Sequence, residues 1–205
     1  MIKQILFDCG GVFVDVRFRE LFEEITGDSA FAADVMKRFF AADSPWHLYD
    51  RGDYKRDEIG KLMREYMLDI PEMVFDTFLE KWPYALPLFP EMEDIVDRLH
   101  EAGYPCYLLS NFSEQFDDFA PSCPPLAKMD GLAISSRMGL IKPHADIFME
   151  TARRFHFKPE ETLFVDDTLV NIEGAQKCGY QTHHFSTPEK FFVFLAENGI
   201  LPNNK

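Results

Sequence analysis

Long apolar runs are missing from this sequence: none approaches the roughly 18 residues that a membrane-spanning helix needs. The first residues, MIKQILFDCGG, also lack the charged and apolar regions of a secretory signal peptide. The four cysteines are scattered without a C-x-x-C pair, so the common zinc and dithiol motifs are excluded. We therefore expect a soluble, cytoplasmic protein with reduced thiols and no membrane partner.

Positive charge is also scarce, because 21 Lys and Arg residues stand against 35 Asp and Glu residues, for a formal net charge of −14. A field of that sign repels nucleic acid, so we expect no nucleic-acid partner. A small anionic ligand can still bind where local basic groups or a bound metal overcome the overall field. With 46% hydrophobic residues in a chain of 205, the protein is large and apolar enough to bury a core.

Short apolar runs rich in β-formers recur along the chain and predict strands. Continuous runs of this kind are typical of buried parallel strands. Helical patterns lie between them, as in the segment 92–99, where apolar residues recur three and four apart. This alternation predicts a layered α/β fold with a parallel sheet. The runs are Ile2–Phe7, Tyr104–Leu109, Leu132–Ile134 and Leu163–Val165, with Gln181–Phe185 a weaker fifth.

The segment from Arg17 to Trp82 has a different pattern. Four successive groups of apolar residues repeat there at i, i+3, i+4 and i+7, and each predicts an amphipathic helix. The return segment 83–90 contains three prolines, which resist both helix and interior strand. We therefore predict an α/β core of residues 1–15 and 87–205, with a four-helix domain inserted at 16–86.

Polar residues follow directly on three of the predicted strands. Asp8 follows the first, Ser110-Asn111 the second and Asp166-Asp167 the fourth, while Lys142 lies beyond the Leu132–Ile134 strand and a turn. The carboxyl ends of parallel strands meet at one edge of a sheet, so these groups should converge. Carboxylates, a lysine and a hydroxyl in one cleft suit a divalent metal and a phosphate, with one carboxylate left to attack.

In their order along the chain, these residues resemble the motifs of the haloacid dehalogenase superfamily. Phe7–Val12 is similar to its first motif, Leu109–Asn111 to its second, Lys142-Pro143 to its third, and Val165–Asp167 with Asn171 to its fourth. Each motif alone is weak, but four in order are specific, and the resemblance spans the whole chain. The inserted helices are similar to the superfamily's cap, and the likeness is strongest to the α-D-glucose-1-phosphate phosphatase group.

The resemblance implies a Rossmann-like core and a Mg²⁺-dependent phosphatase of small phosphorylated metabolites, with a sugar phosphate among the candidates. By the same resemblance, Asp8 would attack phosphorus and form an aspartyl phosphate. Asp8, the Gly10 carbonyl, Asp166 and Asp167 would hold the metal. The likeness says nothing about the oligomeric state.

The remaining site residues are also assigned by this resemblance or by their position. Ser110 and Asn111 would hydrogen-bond the phosphoryl oxygens, Lys142 would neutralise them, and Asn171 would have an orienting role. Three residues in a predicted break between cap helices are candidates for substrate binding: Trp46, His47 and Arg51. The phenylalanine-rich helical stripes are interpreted as the core of the inserted bundle and not as a substrate box.

Position 10 departs from the family pattern, because phosphatases of the superfamily usually carry a second Asp two residues after the nucleophile. A missing acid/base costs about 10²–10⁴ in rate. Gly10 therefore leaves open a non-catalytic protein that binds phosphorylated ligands. A metal-independent 2-haloacid dehalogenase is a second alternative, although Asp166-Asp167 argue against it, since those enzymes carry neutral residues there. We interpret Asp15 as part of the hinge into the inserted helices, with a stand-in acid role as the alternative.

Overall fold

Five parallel strands form one sheet, in the order β3-β2-β1-β4-β5, in a computed structural model that describes residues 1–41 and 43–202. Each strand overlaps one of the five predicted apolar runs, so the predicted parallel α/β fold is confirmed. Phe7 pairs with Leu108 on one side and with Val165 on the other, which brings three strands to the same edge. The strands are β1 Gln4–Phe7, β2 Cys106–Ser110, β3 Gly131–Ile134, β4 Thr162–Asp166 and β5 Gln181–His184.

Helices cover both faces of the sheet, which explains why β1 and β4 are buried throughout. Side chains alternate between the faces along β1. Ile5 and Phe7 belong to the core that includes α6 (Glu91–Glu101) and α11 (Pro188–Glu197), whereas Leu6 belongs to a second core. The second core includes side chains of α9 (Ala145–Phe155) and α10 (Leu169–Lys177). Two short helices, α7 (Phe116–Phe119) and α8 (Ser135–Met138), follow β2 and β3.

Five helices lie between β1 and α6. Four of them coincide with the four predicted patterns: α1 (Phe18–Thr26), α2 (Ser29–Phe39), α4 (Arg56–Tyr66) and α5 (Glu72–Lys81). The fifth, α3 (Trp46–Arg51), lies where the sequence predicted a break, so the four-helix description is corrected to five helices in the described residues. Six residues are too few to show a helical period in the sequence.

The aromatic stripes of the inserted helices meet in one cluster. Phe22 of α1 stacks on Phe78 of α5 with ring centroids 4.4 Å apart, and Phe39 of α2 lies 4.8 Å from Phe78. Asp28 begins α2 because its carboxylate accepts hydrogen bonds from the backbone N–H groups of residues 30 and 31. The inserted helices therefore have an apolar core of their own.

A single buried glutamine joins the inserted helices to the loop after β2. Gln115 accepts hydrogen bonds from the Tyr49 hydroxyl and the Trp82 indole N–H, both at 2.9 Å. Its own amide donates to the Leu79 carbonyl oxygen at 2.7 Å. Gly52, at the end of α3, approaches the backbone of Ser136 so closely that a Cβ would collide with its carbonyl oxygen. These contacts hold α3 and α5 against the core.

Within the described ranges, no helix combines the length and the apolar character required to cross a bilayer.

We predict that Gln115→Ala lowers the free energy of unfolding by about 2–4 kcal/mol, because two buried donors and a carbonyl lose their partner. Urea unfolding followed by circular dichroism measures the change. Gln176→Ala is the matched control, since exposed Gln176 donates one hydrogen bond to Thr182 and its loss should cost under about 0.5 kcal/mol. Equal losses in the two variants would contradict the joining role of Gln115.

Candidate active site

Asp8 lies immediately beyond the end of β1, at the edge where the strands finish. Its backbone N–H donates to the Val165 carbonyl oxygen at 2.8 Å, which extends the β1–β4 pairing by one residue. The carboxylate Oδ1 accepts from the Cys9 N–H at 2.7 Å and is 2.8 Å from the Lys142 Nζ. Cys9 itself is fully buried in the core. Asp8 is 8% exposed, so its carboxylate is held firmly and can be reached from one side.

Lys142 is buried between two carboxylates. Its Nζ lies 2.8 Å from Asp8 Oδ1 and 2.7 Å from Asp166 Oδ2. Its backbone is held by the Asn111 side chain, which accepts from the Lys142 N–H at 2.9 Å and donates to the Lys142 carbonyl oxygen at 3.0 Å. The expected contact of the Asn111 amide with phosphoryl oxygens stays a prediction, and both polar atoms of the amide hold the lysine backbone. Asn111 therefore positions Lys142.

Asp166 and Asp167 end β4 and differ in their surroundings. Asp166 is fully buried and accepts from the Thr168 N–H at 2.8 Å and from the Asn171 amide at 3.1 Å, in addition to Lys142. Asn171, for which an orienting role is expected, thus contacts this carboxylate directly. Asp167 is exposed, and its backbone carbonyl oxygen lies 2.8 Å from the His184 Nε2 of β5. Asp166 is therefore saturated by protein groups, while Asp167 faces outward.

The carboxylates of Asp8, Asp166 and Asp167 lie within 4.8 Å of one another. Gly11 permits this arrangement, because its φ is +71° and a Cβ there would collide with the Asp167 carboxylate. One ammonium group among three carboxylates leaves an excess of two negative charges. Oxygen ligands and this excess charge fit a hard divalent cation.

The pKa values of these groups depend first on burial and then on the neighbouring charges. Burial raises the pKa of Asp8 to about 7, and the neighbouring Asp166 adds to the rise, whereas Lys142 lowers it. Burial alone lowers the pKa of Lys142, but the two adjacent carboxylates outweigh it and raise the pKa above its ordinary value. Burial and Asp166 also raise the pKa of Asp167. A cation in this cluster would favour the ionised carboxylates.

A cleft of about 520 Å³ opens over these groups, between the strand edge and the inserted helices. Ser110, predicted from the second motif, lines it and is buried. Trp46 also lines it. His47 and Arg51 do not: the His47 ring contacts the Ser44 carbonyl oxygen at 2.5 Å, and Arg51 pairs with Asp53. The structure therefore brings together the motif residues and Trp46, and leaves the other two substrate-binding candidates outside the cleft.

Helix geometry explains this division, because residues four apart share a face. Trp46 and Asp50 share the face that lines the cleft, while His47 and Arg51 share the next face. Asp50 was absent from the sequence-based candidates, although its spacing of four residues from Trp46 was a usable signal. Burial raises the pKa of Asp50 to about 7 against hydrogen bonding from the Trp46 side chain and the Ser113 backbone N–H, both of which lower it. Asp50 is thus a carboxyl group whose pKa lies near neutral pH.

Comparison with known proteins agrees with this fold. The sequence model of the haloacid dehalogenase-like hydrolases matches residues 2–179. The chain therefore belongs to the haloacid dehalogenase-like hydrolases, and the superfamily expectation is confirmed. The narrower likeness to α-D-glucose-1-phosphate phosphatases stays a prediction.

Relatives in this family have different activities. The D-ribitol-5-phosphate phosphatase of Bacteroides thetaiotaomicron is 31% identical over 202 residues, with 89% of this chain and 91% of that protein covered. The (S)-2-haloacid dehalogenase 4A of Burkholderia cepacia is 23% identical over 189 residues, with 88% and 81% covered. The crystal structure of a Bacteroides thetaiotaomicron enzyme of the family, bt-2542, in complex with magnesium and inorganic phosphate, shares the fold. Its TM-score is 0.70 at 24% identity, over 89% of this chain and 93% of that one.

We predict that Lys142→Met destabilises the metal-free protein by about 3 kcal/mol at pH 8, because a buried cation is lost between two carboxylates. Without Lys142 the pKa of Asp8 rises beyond about 7, so the variant folds at pH 8 only with an uncompensated charge or a bound proton. At pH 5 Asp8 is protonated in both folded proteins, so Asp8 no longer contributes to the difference between their free energies of unfolding.

Urea unfolding in EDTA at both pH values checks this prediction. Lys128→Met is the control, since Lys128 pairs with Glu93 and Asp97 at a partly exposed site and should contribute under about 1 kcal/mol. A loss in Lys142→Met that is independent of pH would show that packing of the lysine stem, and not its charge, is what the fold requires.

Proposed function

We propose that the protein is a Mg²⁺-dependent phosphatase that hydrolyses phosphate monoesters of small metabolites through an aspartyl phosphate on Asp8. One observation carries the proposal: a buried lysine holds the reactive carboxylate at the floor of an open cleft, in a cluster where this one ammonium group faces three carboxylates. Phosphoryl transfer depends mainly on positioning and charge neutralisation, which is what these groups supply.

The position of each residue supports the role that we assign to it. An Asp8 oxygen attacks phosphorus, and the bond to the ester oxygen breaks. Lys142 balances the charge on Asp8 and on the phosphoryl oxygens, while Ser110, which lines the cleft, would donate its hydroxyl to them. Asn111 acts through the lysine, because its amide fixes the Lys142 backbone. Water then releases phosphate from Asp8.

The acidic cluster fits Mg²⁺ by its oxygen ligands and its excess negative charge. Asp8 and Asp167 would hold the ion through carboxylate oxygens, the Gly10 carbonyl would be a further ligand, and Asp166 would orient the site. When bound, Mg²⁺ supplies charge stabilisation for the transferring phosphoryl group. The bt-2542 enzyme, which shares the fold, binds magnesium and phosphate. Residues 16–86 would act as the cap that selects the substrate.

Two other functions follow from the same family and site. A metal-independent dehalogenase is disfavoured, because the unbalanced carboxylates call for a cation. A non-catalytic protein that binds phosphorylated ligands is suggested by Gly10, where the usual acid is absent. Turnover of 4-nitrophenyl phosphate separates these functions, because the leaving group of this ester needs little protonation. Loss of that turnover in EDTA would show that the reaction requires a metal.

We predict that Asp8→Asn lowers kcat for 4-nitrophenyl phosphate by at least about 10³, because an amide oxygen is a poor nucleophile. Asp15→Asn is the matched control: Asp15 pairs with Arg17 at 2.6 Å outside the cleft, so its loss should change kcat less than about twofold. Phosphate release with Mg²⁺ and with EDTA is measured for all three proteins. If the wild-type protein cleaves no ester, the binding function is favoured. A near-normal kcat in Asp8→Asn would exclude Asp8 as the nucleophile.

A further inference from the structure

The part of the cleft next to the inserted helices is lined by aromatic rings. We call the five residues Phe18, Phe40, Trp46, Trp82 and Phe112 the aromatic wall. Their rings form a continuous series, with centroid distances of 5.1, 5.8, 6.0 and 4.9 Å between successive members. The wall runs from α1 to the loop after β2, so it spans the cleft from the inserted helices to the core.

Aliphatic side chains complete this lining. Val14 and Leu86 lie within the cleft, while Val16 and Val170 are 41% and 55% exposed. Exposed apolar side chains beside a cleft mark a surface that an apolar ligand can cover. Among the described residues that line the cleft, polar groups cluster at the carboxylate end, and Asp50 is the ionisable group beside the aromatic wall.

This lining discriminates between two kinds of phosphate ester. A hydroxyl group buried without a hydrogen-bond partner costs about 1–3 kcal/mol of binding free energy. A polyol bound against the rings would pay this cost for several of its hydroxyl groups. Apolar surface covered by the rings gains about 25 cal/mol per Å². We propose that the substrate is the phosphate monoester of an apolar alcohol, whose hydrocarbon part lies against the aromatic wall. This inference rests on the proposed phosphatase function.

Two esters of primary alcohols test the substrate class with matched leaving oxygens: hexyl phosphate and ribitol 5-phosphate. We expect kcat/KM for hexyl phosphate to be higher by at least about tenfold, which corresponds to the burial of one to two methylene groups. Equal or higher kcat/KM for ribitol 5-phosphate would overturn the inference and leave the phosphatase function intact. No turnover of any ester would overturn the phosphatase function itself.

Variants of the cleft lining test whether it causes the preference for an apolar ester. Val170→Asn should raise KM for hexyl phosphate several-fold, while the inhibition constant of inorganic phosphate stays unchanged because phosphate binds at the carboxylate end. Val193→Asn is the matched control, since Val193 is 52% exposed on α11 and does not line the cleft. An unchanged KM for hexyl phosphate in Val170→Asn would overturn contact between the hydrocarbon and this side of the cleft.

The cleft contains a carboxyl group that can replace the acid missing at position 10. Asp15 is occupied by Arg17 and does not line the cleft. Asp50 does line it, on α3, whose backbone is fixed by the Ser135 hydroxyl donating to the Asp50 carbonyl oxygen at 2.5 Å. In the part of the chain that the structure describes, the other ionisable groups that line the cleft are Asp8, Lys142 and Asp167, and all three belong to the carboxylate end.

The geometry points to Asp50 as the general acid and base of the proposed phosphatase. When Asp8 attacks phosphorus and the ester bond breaks, the electron pair remains on the leaving oxygen, which takes the proton of the Asp50 carboxyl. The Asp50 carboxylate then takes a proton from water as that water attacks phosphorus, and the bond between phosphorus and Asp8 breaks. Burial, which raises the pKa of Asp50 to about 7, keeps both forms accessible near neutral pH.

Leaving-group dependence tests this role. Asp50→Asn preserves shape but has no proton to donate, so kcat/KM for hexyl phosphate should fall about 10²–10³-fold. For 4-nitrophenyl phosphate the fall should be under about tenfold, because that leaving group needs no proton, and this retained turnover shows that the variant is folded. Equal losses on both esters would overturn the acid role without touching the phosphatase function.

A second variant tests rescue of the same step. A Cβ on Gly10 would meet, among the described residues, the Val16 side chain alone, at 3.3 Å, so Gly10→Asp fits if that side chain shifts slightly. Gly10→Asp combined with Asp50→Asn should recover at least about tenfold of the lost kcat/KM for hexyl phosphate and leave 4-nitrophenyl phosphate little changed. A double variant that turns over 4-nitrophenyl phosphate but regains nothing on hexyl phosphate would count against proton transfer as the function of Asp50.

Discussion

A buried ammonium group between two carboxylates organises this molecule. Lys142 follows β3, Asp8 follows β1 and Asp166 ends β4, so the contacts of one side chain join the ends of separate strands. Neither carboxylate would be stable there without it, since charged groups buried without a partner cost several kcal/mol. The amides of Asn111 and Asn171 complete the arrangement from the adjoining segments. The site is therefore a part of the fold and not an addition to it.

Much of this arrangement follows from the sequence, because strand ends and polar residues coincide. The apolar runs predicted all five strands, and the residues after them converge as parallel topology requires. The contacts that each of these converging residues makes were harder to predict from the sequence. That the Asn111 amide would face the Lys142 backbone depends on the path of the turn after β3, and residue order does not encode that path. The same holds for Gly11, whose importance is its approach to Asp167.

The inserted helices show where pattern reasoning fails. Helices of nine or more residues were predicted correctly, since two turns display a period, whereas the six residues of α3 do not. That omission hid the orientation of the segment, so His47 and Arg51 were chosen as substrate contacts and Asp50 was passed over. The aromatic stripes were interpreted as bundle core alone, yet Phe18 and Trp82 also line the cleft. A side chain at the boundary of a small domain can serve both purposes.

Gln115 has a consequence for how such proteins diverge. Its hydrogen bonds to Tyr49, Trp82 and the Leu79 carbonyl oxygen make the inserted helices and the loop after β2 a matched pair. A helical insert transplanted from a relative would bring a different partner to this buried amide and leave it unsatisfied. New specificity should therefore arise more readily by substitution within the existing cleft lining than by exchange of the whole insert. Recombination would succeed only between relatives that share this junction.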